Sequence, residues 1–399
     1  MSFVDKLRTR RKGSGTSRFA EAPAEPSKGG TPADRGDERS DDYYMASSRK
    51  LIWRSFKKHK LGLVAGFVLL FMYFVAVFAG FFAPYGPWQR HPDHVLAPPT
   101  AVRFFHEGRL VGPFVYGYVQ ETDPETLARI YEEDRSEIYR IRLFVRGEQY
   151  KLMGLFDTNL HLFGAEGEGK VFLFGTDTLG RDVFSRVLQG SRVSLSIGLL
   201  GVIISFILGA ILGGVSGYFG GTVDMLIQRL IEFLNGIPSI PLWMALAAAV
   251  PTEWPPLRVY LMITIVLSIL GWTGLARTVR GKMLQLRTED YVMAARFAGA
   301  GEWAIIRKHL LPGFMSYLIV HITLAIPGMI LGETALSFIG VGLKAPVVSW
   351  GVMLQQAQNI RTVAVNPWLM LPALFVVLTV LCFNFLGDAL RDSADPYAG

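Results

Sequence analysis

A single cysteine, Cys382, in 399 residues leaves no partner for an intrachain disulfide, a cysteine zinc cluster or a thiol redox pair. No GxxxxGK[ST] loop occurs anywhere, so the chain cannot itself cradle nucleotide phosphates in a loop of that kind. Charged residues make up only 18% of the chain, and the net charge of +7 is not gathered into a basic stripe with interleaved aromatics, which argues against nucleic acid as a partner. Histidine is scarce too. His91 and His94 stand three apart in a Pro-rich linker with no third ligand nearby, which reads as two solvated histidines and no metal site. No arrangement of catalytic residues is visible, so no enzyme activity is expected of this chain. No secretory signal begins at Met1, because the first long apolar run starts only near Leu61.

What the chain has in quantity is apolar sequence: 51% hydrophobic residues, with a mean hydropathy of +0.32. That is too apolar for a soluble chain of this size and too charged for one wholly in lipid, so the two kinds of segment must alternate. Residues 1–48, with GSGTS and PAEPSKGGTPADRGDERSDD and no apolar periodicity, read as a disordered tail. Residues 49–83 hold a first membrane helix, whose uncharged run Leu61–Ala83 is long enough to cross the hydrocarbon core. Arg49, Lys50, Arg54, Lys57, Lys58 and Lys60 precede it and only Arg90 follows closely, which places its start in the cytoplasm. Residues 84–173 are then a small extracytoplasmic insertion rich in strands. Tyr139, Ile141, Leu143 and Val145 alternate with Arg140, Arg142 and Phe144; a turn is expected at Arg146–Gln149, a hairpin at Glu107-Gly108, and a helix from Pro124 to Glu133 capped by Asp123.

From 174 onward five further spans are read: about Leu195–Tyr218, rich in small residues; Val223–Val250, interrupted by Pro238 and Pro241; Tyr260–Ala276; Phe314–Leu343; and Leu369–Leu386. An even number of spans puts both termini in the cytoplasm. The loop 277–313 carries Arg277, Arg280, Lys282, Arg287, Arg296, Arg307 and Lys308 against Lys344 and Arg361 in the next loop, an independent bias of the same sign. Ionisable groups in lipid are costly. Arg229 is placed to pair with Asp224 or Glu232, and Glu333 either lines a translocation path or is a packing glutamate hydrogen-bonded to a neighbour.

The loop 277–313 holds TEDYVMAARFAGAGEWAIIRKHLLP. Glu289–Ala298 forms a short helix with Ala294, Ala295 and Ala298 on one bulk-free side, Gly299 and Gly301 break it, and Glu302–Leu310 is a second helix, which Pro312 stops unless it sets the first turn of the following span. The frame Met293, Ala294, Ala295, Gly299, His309, Leu311 and Pro312 resembles the cytoplasmic loop of bacterial binding-protein-dependent ABC importer permeases, with Met293 standing where the family has Glu. The stretch FGTDTLGRDVFSRVLQGSRVSLSIG resembles the N-terminal signature of the oligopeptide, dipeptide and nickel branch, on Gly175, Thr176, Asp177, Gly180, Arg181 and Asp182. Asp177 is positioned to cap a helix there, with Val183, Val187 and Leu188 on one side and Arg181, Ser185 and Arg192 on the other, a pattern that suits a helix lying flat at the outer surface, the other reading being a polar lead-in to a span. The tail GDALRDSADP resembles the family as well.

The resemblance implies an all-α membrane protein with the six-helix MetI-like fold of type I ABC importer permeases, set in the bacterial inner membrane. It implies that the loop docks on a separate ATPase, and that the chain serves an importer of peptides or a similar small solute. The partners so implied are a second homologous permease, two ABC ATPase subunits, an extracytoplasmic solute-binding protein and the lipid bilayer. The insertion 84–173 is longer than the family's usual loop. A membrane-anchored sensor that binds a ligand through 84–173 is the alternative, against which five further Gly-rich and Pro-kinked spans weigh.

Overall fold

The computed structural model describes residues 53–122, 124, 129–251, 253–310 and 314–394; the expected tail, 1–48, lies outside them. The first span is α1 (Lys60–Val77), continued after a break at Phe78 by α2 (Ala79–Phe82). It is apolar all round, and Phe67, Leu70, Phe71 and Phe74 stay exposed, as a lipid-facing helix requires.

The insertion is an antiparallel meander of β1 (Arg103–His106), β2 (Arg109–Thr122), β3 (Arg129–Leu152) and β4 (Phe156–Ala165), ordered β1-β2-β3-β4. The expected hairpin at Glu107-Gly108 is present, both residues having positive φ (47° and 77°) as a tight type I′ turn demands. Two expectations fail. The proposed helix from Pro124 is strand from Arg129 on, while Asp123 and residues 125–128 lie outside the described residues. The turn at Arg146–Gln149 is a bulge inside β3, where the register passes from Arg146↔Leu160 to Tyr150↔Thr158. The chain reverses at Met153 and Gly154, which carry the positive φ values of 53° and 75° that Arg146–Gln149 lack.

After the insertion come α3 (Val183–Phe219), α4 (Gly221–Asn235), α5 (Ser239–Ala248) and α6 (Pro256–Leu286). The short loop helices α7 (Asp290–Phe297) and α8 (Glu302–Ile305) precede α9 (Met315–Ile339), α10 (Trp350–Gln355), α11 (Ile360–Val365) and α12 (Leu371–Ala394). Among the described residues five helices are long and apolar enough to cross a membrane, and six crossings result if α4 and α5, bent by 86° at a break containing Pro238, count as one. Pro238 cannot donate to the helical ladder, so the third crossing breaks where the sequence indicated.

α3 differs from expectation. Its 37 residues run unbroken from Val183, directly after the six motif residues, through the second span, so there is no separate helix lying flat on the surface. At about 1.5 Å per residue it exceeds the roughly 30 Å hydrocarbon core, and its first turns extend past it. Most of the supposed polar side is inside the protein: Ser185 is fully buried and Arg181 is 4% exposed, while Arg192 is half-buried.

α3 packs on α6 through Gly209, Gly213 and Gly217, one turn apart. A Cβ on Gly213 would lie 2.4 Å from the Ala276 carbonyl oxygen, and one on Gly217 2.6 Å from that of Arg280. Lipid supplies no hydrophobic drive between helices, so this backbone-to-backbone approach provides the packing that holds them. At the end away from the insertion the Arg280 guanidinium donates to both carboxylate oxygens of Asp224, which also accepts from the Ser216 hydroxyl, tying α3, α4 and α6 together. Arg229 pairs with Glu232 instead, at 2.7 Å on an exposed face.

Candidate functional site

The loop between α6 and α9 is built from the inside outward. Val292, Ile305 and Leu310, all fully buried, join Tyr218, Leu275, Val279, Met283, Phe314 and Leu318 in an apolar base formed by the ends of α3, α6 and α9 that border the loop. Arg287 donates to the carbonyls of Gly217 and Tyr218, and Arg296 to the Tyr218 hydroxyl, which fixes the loop from the side. α7 ends in a Schellman motif: the Ala300 N–H donates to the Ala295 carbonyl, the Gly299 N–H to that of Arg296, and Gly299 takes φ +79°. The second helix is α8, continued as a single π-type turn over Ile306–Leu310.

The expected alanine face is divided. Ala295 turns inward and packs with Ala300 on the base, whereas Ala294 and Ala298 are exposed and Met293 is half-buried. The outward surface is aromatic: Phe297 is 85% exposed, Trp303 79% and Tyr291 45%. On a helical wheel Tyr291, Ala294, Phe297 and Ala298 share that side. Sequence reading passed over Phe297 and Trp303; the available signal was two large aromatics flanking a glycine break in a charged loop. His309 falls in the π-type turn, and Leu311 and Pro312 lie outside the described residues.

At the other end of α3, the residues of the GTD stretch close the base of the insertion. Segments 91–100 and 172–180 run antiparallel: the His91 N–H donates to the Gly180 carbonyl, the Leu96 N–H to Asp177, the Thr176 N–H to Ala97 and the Thr100 N–H to Phe172. Gly180, at φ +70°, must lack a side chain, since a Cβ would fall 2.2 Å from the His91 carbonyl oxygen. Gly175 has φ +69°, beside Trp368, whose indole N–H donates to the Thr176 carbonyl. Asp182, not Asp177, caps α3, accepting from the Ser185 N–H at 2.8 Å; burial pushes its carboxyl up to about 7. Asp177, 2% exposed, instead accepts from Arg181 Nε at 2.8 Å and from Arg186 Nη1, and both guanidiniums lie near the face of Trp88. The two histidines are not the solvated pair expected: His91 is 7% exposed between Tyr85 and Phe172, and burial pulls it down to about 4. Among the described residues no group of three metal-ligating side chains is found.

Glu333 of α9 is fully buried. Its Oε1 accepts from the hydroxyls of Ser337, at 2.8 Å, and Ser349, at 2.7 Å, and Ser349 in turn caps α10. Glu333 therefore joins α9 to the loop that returns to α10. A glutamine at this position keeps an acceptor for both hydroxyls, whereas leucine leaves two buried donors unpaired at about 1–3 kcal/mol each. Glu333→Gln is thus expected to keep normal abundance and uptake, and Glu333→Leu to lose abundance. Loss of uptake by a normally abundant Glu333→Gln would assign the negative charge itself a role.

Residues 205–397 match the model of the binding-protein-dependent transport system inner membrane component, and residues 47–99 that of the N-terminal TM domain of oligopeptide transport permease C. The chain is 44% identical over 225 residues to the dipeptide transport system permease protein DppC of Bacillus subtilis, covering 56% of this chain and 68% of that one. It is 40% identical over 243 residues to the oligopeptide transport system permease protein OppC of Haemophilus influenzae, covering 60% and 75%. With the glutathione transport system permease protein GsiD of Pectobacterium atrosepticum it shares 36% over 231 residues, covering 58% and 74%. The apolar helices and these relatives make it a multi-pass inner-membrane protein, and the sensor reading falls away. The chain belongs to the binding-protein-dependent transport system inner membrane component family and is a permease subunit of an ABC importer, with the ATPase on a separate subunit.

Proposed function

We propose that this chain pairs with a second, related permease and two ATPase subunits, and that the assembly imports peptides or a similar small solute delivered by an extracytoplasmic binding protein. The observation that carries the reading is the loop around α7 and α8. It presents Tyr291, Phe297 and Trp303 outward from a fully buried apolar base that joins α3, α6 and α9. A rigid foot with exposed aromatics is a surface that another protein covers, and movement of the foot is passed directly to three spans. ATP is used by the partner, and this chain transmits the resulting movement. The peptide class follows from the relatives' names and from the match to the oligopeptide permease model. Reconstitution with the four partners tests it. ATP-dependent uptake of di- and oligopeptides is expected, and an assembly that hydrolyses ATP and moves no peptide would overturn the solute class.

Both termini and the loop 277–313 are placed in the cytoplasm and the insertion outside, because Arg277, Arg280, Lys282, Arg287, Arg296, Arg307 and Lys308 crowd one side of the membrane. An alkaline phosphatase fused at Gly108 is expected to be active and one at Gly301 silent. The reverse pattern would invert the orientation.

A further inference from the structure

The insertion has two tight turns that differ at their tips, although an exposed apolar pair, Phe105↔Leu110, also stands just behind the first. That between β1 and β2 is polar, His106-Glu107-Gly108-Arg109, while that between β3 and β4 is Leu152-Met153-Gly154-Leu155-Phe156, closed off by the cross-strand pair Lys151↔Asp157. Met153 is 53% exposed, Leu155 75% and Phe156 66%. An apolar turn so exposed calls for a cover, and the course of the hairpin shows what lies in front of it.

The β3–β4 hairpin slopes down the outer ends of α1–α2 and α3. At its upper part Phe163 meets Phe184, in the first turn of α3, and His161 Nδ1 reaches the carbonyl of Ala83, just past α2. Lower down, Tyr150 lies against Gly80, where a Cβ would come within 2.3 Å of its ring, and it lines one cavity together with Arg192 of α3. From Phe184 to Arg192 the helix descends about 12 Å, while the strand from Phe163 to Thr158, the partner of Tyr150, advances roughly 17 Å. Arg192 marks the depth independently, since it donates to the carbonyls of Ala76 and Val77 at 2.7 and 2.9 Å. Gly80 stands about 30 Å above Lys60 along α1, which is the full thickness of the hydrocarbon core. The strands run about 10 Å beyond the Tyr150↔Thr158 pair before the chain reverses.

We propose that the β3–β4 turn is a membrane anchor, with Met153, Leu155 and Phe156 seated at the acyl–headgroup boundary of the outer leaflet. The depth stays interfacial, because turn carbonyls with no internal partner cannot be carried into the hydrocarbon core, and Lys151 and Asp157 set the limit. The anchor would hold the long sheet at a fixed tilt over α3, so that it does not swing freely above the permease. The proposal rests on the insertion lying outside the membrane, which the Gly108 fusion tests by itself.

The full chain, with Cys382→Ala and Leu155→Cys, would carry an environment-sensitive fluorophore at position 155 in phosphatidylglycerol-containing proteoliposomes. Lipids bearing a nitroxide near the carbonyl end of the acyl chain are expected to quench most of its emission, and iodide little of it. A label at Glu107→Cys is expected to show the opposite pattern, and Met153→Cys repeats the first measurement should position 155 disturb folding. Quenching at 155 by iodide to the extent seen at 107 would overturn the anchor. Protection from both quenchers would overturn it as well, since it would mean a protein partner covers the turn.

Discussion

Phe297→Asp combined with Trp303→Asp is expected to leave the chain inserted at normal abundance, to release the ATPase on detergent purification and to abolish uptake. Neither side chain supports the fold, because both are almost fully exposed, 85% and 79%, while the loop's own core consists of Val292, Ile305 and Leu310. Exposed aromatics that become buried at an interface commonly carry about 2 kcal/mol or more each, roughly a 30-fold weakening per residue. The aspartates would additionally bury charge against the partner. Gly299→Arg acts by a second route. Open space surrounds Gly299, but at φ +79° any side chain strains the Schellman turn by about 1–2 kcal/mol, and an arginine there projects from the foot. Ala295→Asp differs from both, since Ala295 packs on the chain's own apolar base; it is expected to loosen the loop and lower abundance. Pull-down of the ATPase with each variant separates the routes, and undiminished recovery with the double aspartate variant would show that this loop is not the docking surface.

Asp177→Ala is expected to produce the largest loss of stability of any single substitution at the junction between the insertion and α3. It leaves Arg181, 4% exposed, and Arg186, 2% exposed, without their shared carboxylate, and it removes the acceptor for the backbone N–H groups of Leu179 and Arg181. Removing one partner of a buried ion pair typically costs about 3–5 kcal/mol, because the charges left behind stay desolvated. Asp177→Asn keeps an acceptor for the backbone and is expected to lose less. Arg142→Ala is the control: its pair with Glu166 is 66% and 46% exposed, where such pairs contribute about 0–1 kcal/mol. Heating detergent-solubilised variants and measuring the soluble fraction checks the order, and equal losses for Asp177→Ala and Arg142→Ala would refute it.

The membrane plan was legible from residue types alone. Apolar runs of sufficient length marked the spans, Pro238 marked the break, and Gly299 marked the end of α7, because lipid solvation, a missing backbone donor and a positive φ act at single positions or along single runs. The small residues of α3 announced a close helix contact, which Gly209, Gly213 and Gly217 make in the structure. Tertiary structure decided which side each short element turns inward and which charges meet. Asp224 takes Arg280 from a helix 56 residues on, in preference to Arg229 on its own helix. Asp177 gives up the cap of α3 to Asp182 and serves two arginines, His91 is enclosed by a strand pairing with Gly180, and Ala295 is lost to the core while Phe297 is left outside. Helical and strand periods group residues on a face but carry no information on what opposes that face. A polar side chain chooses its partner by distance in space, and burial makes the choice strong by removing the competing water.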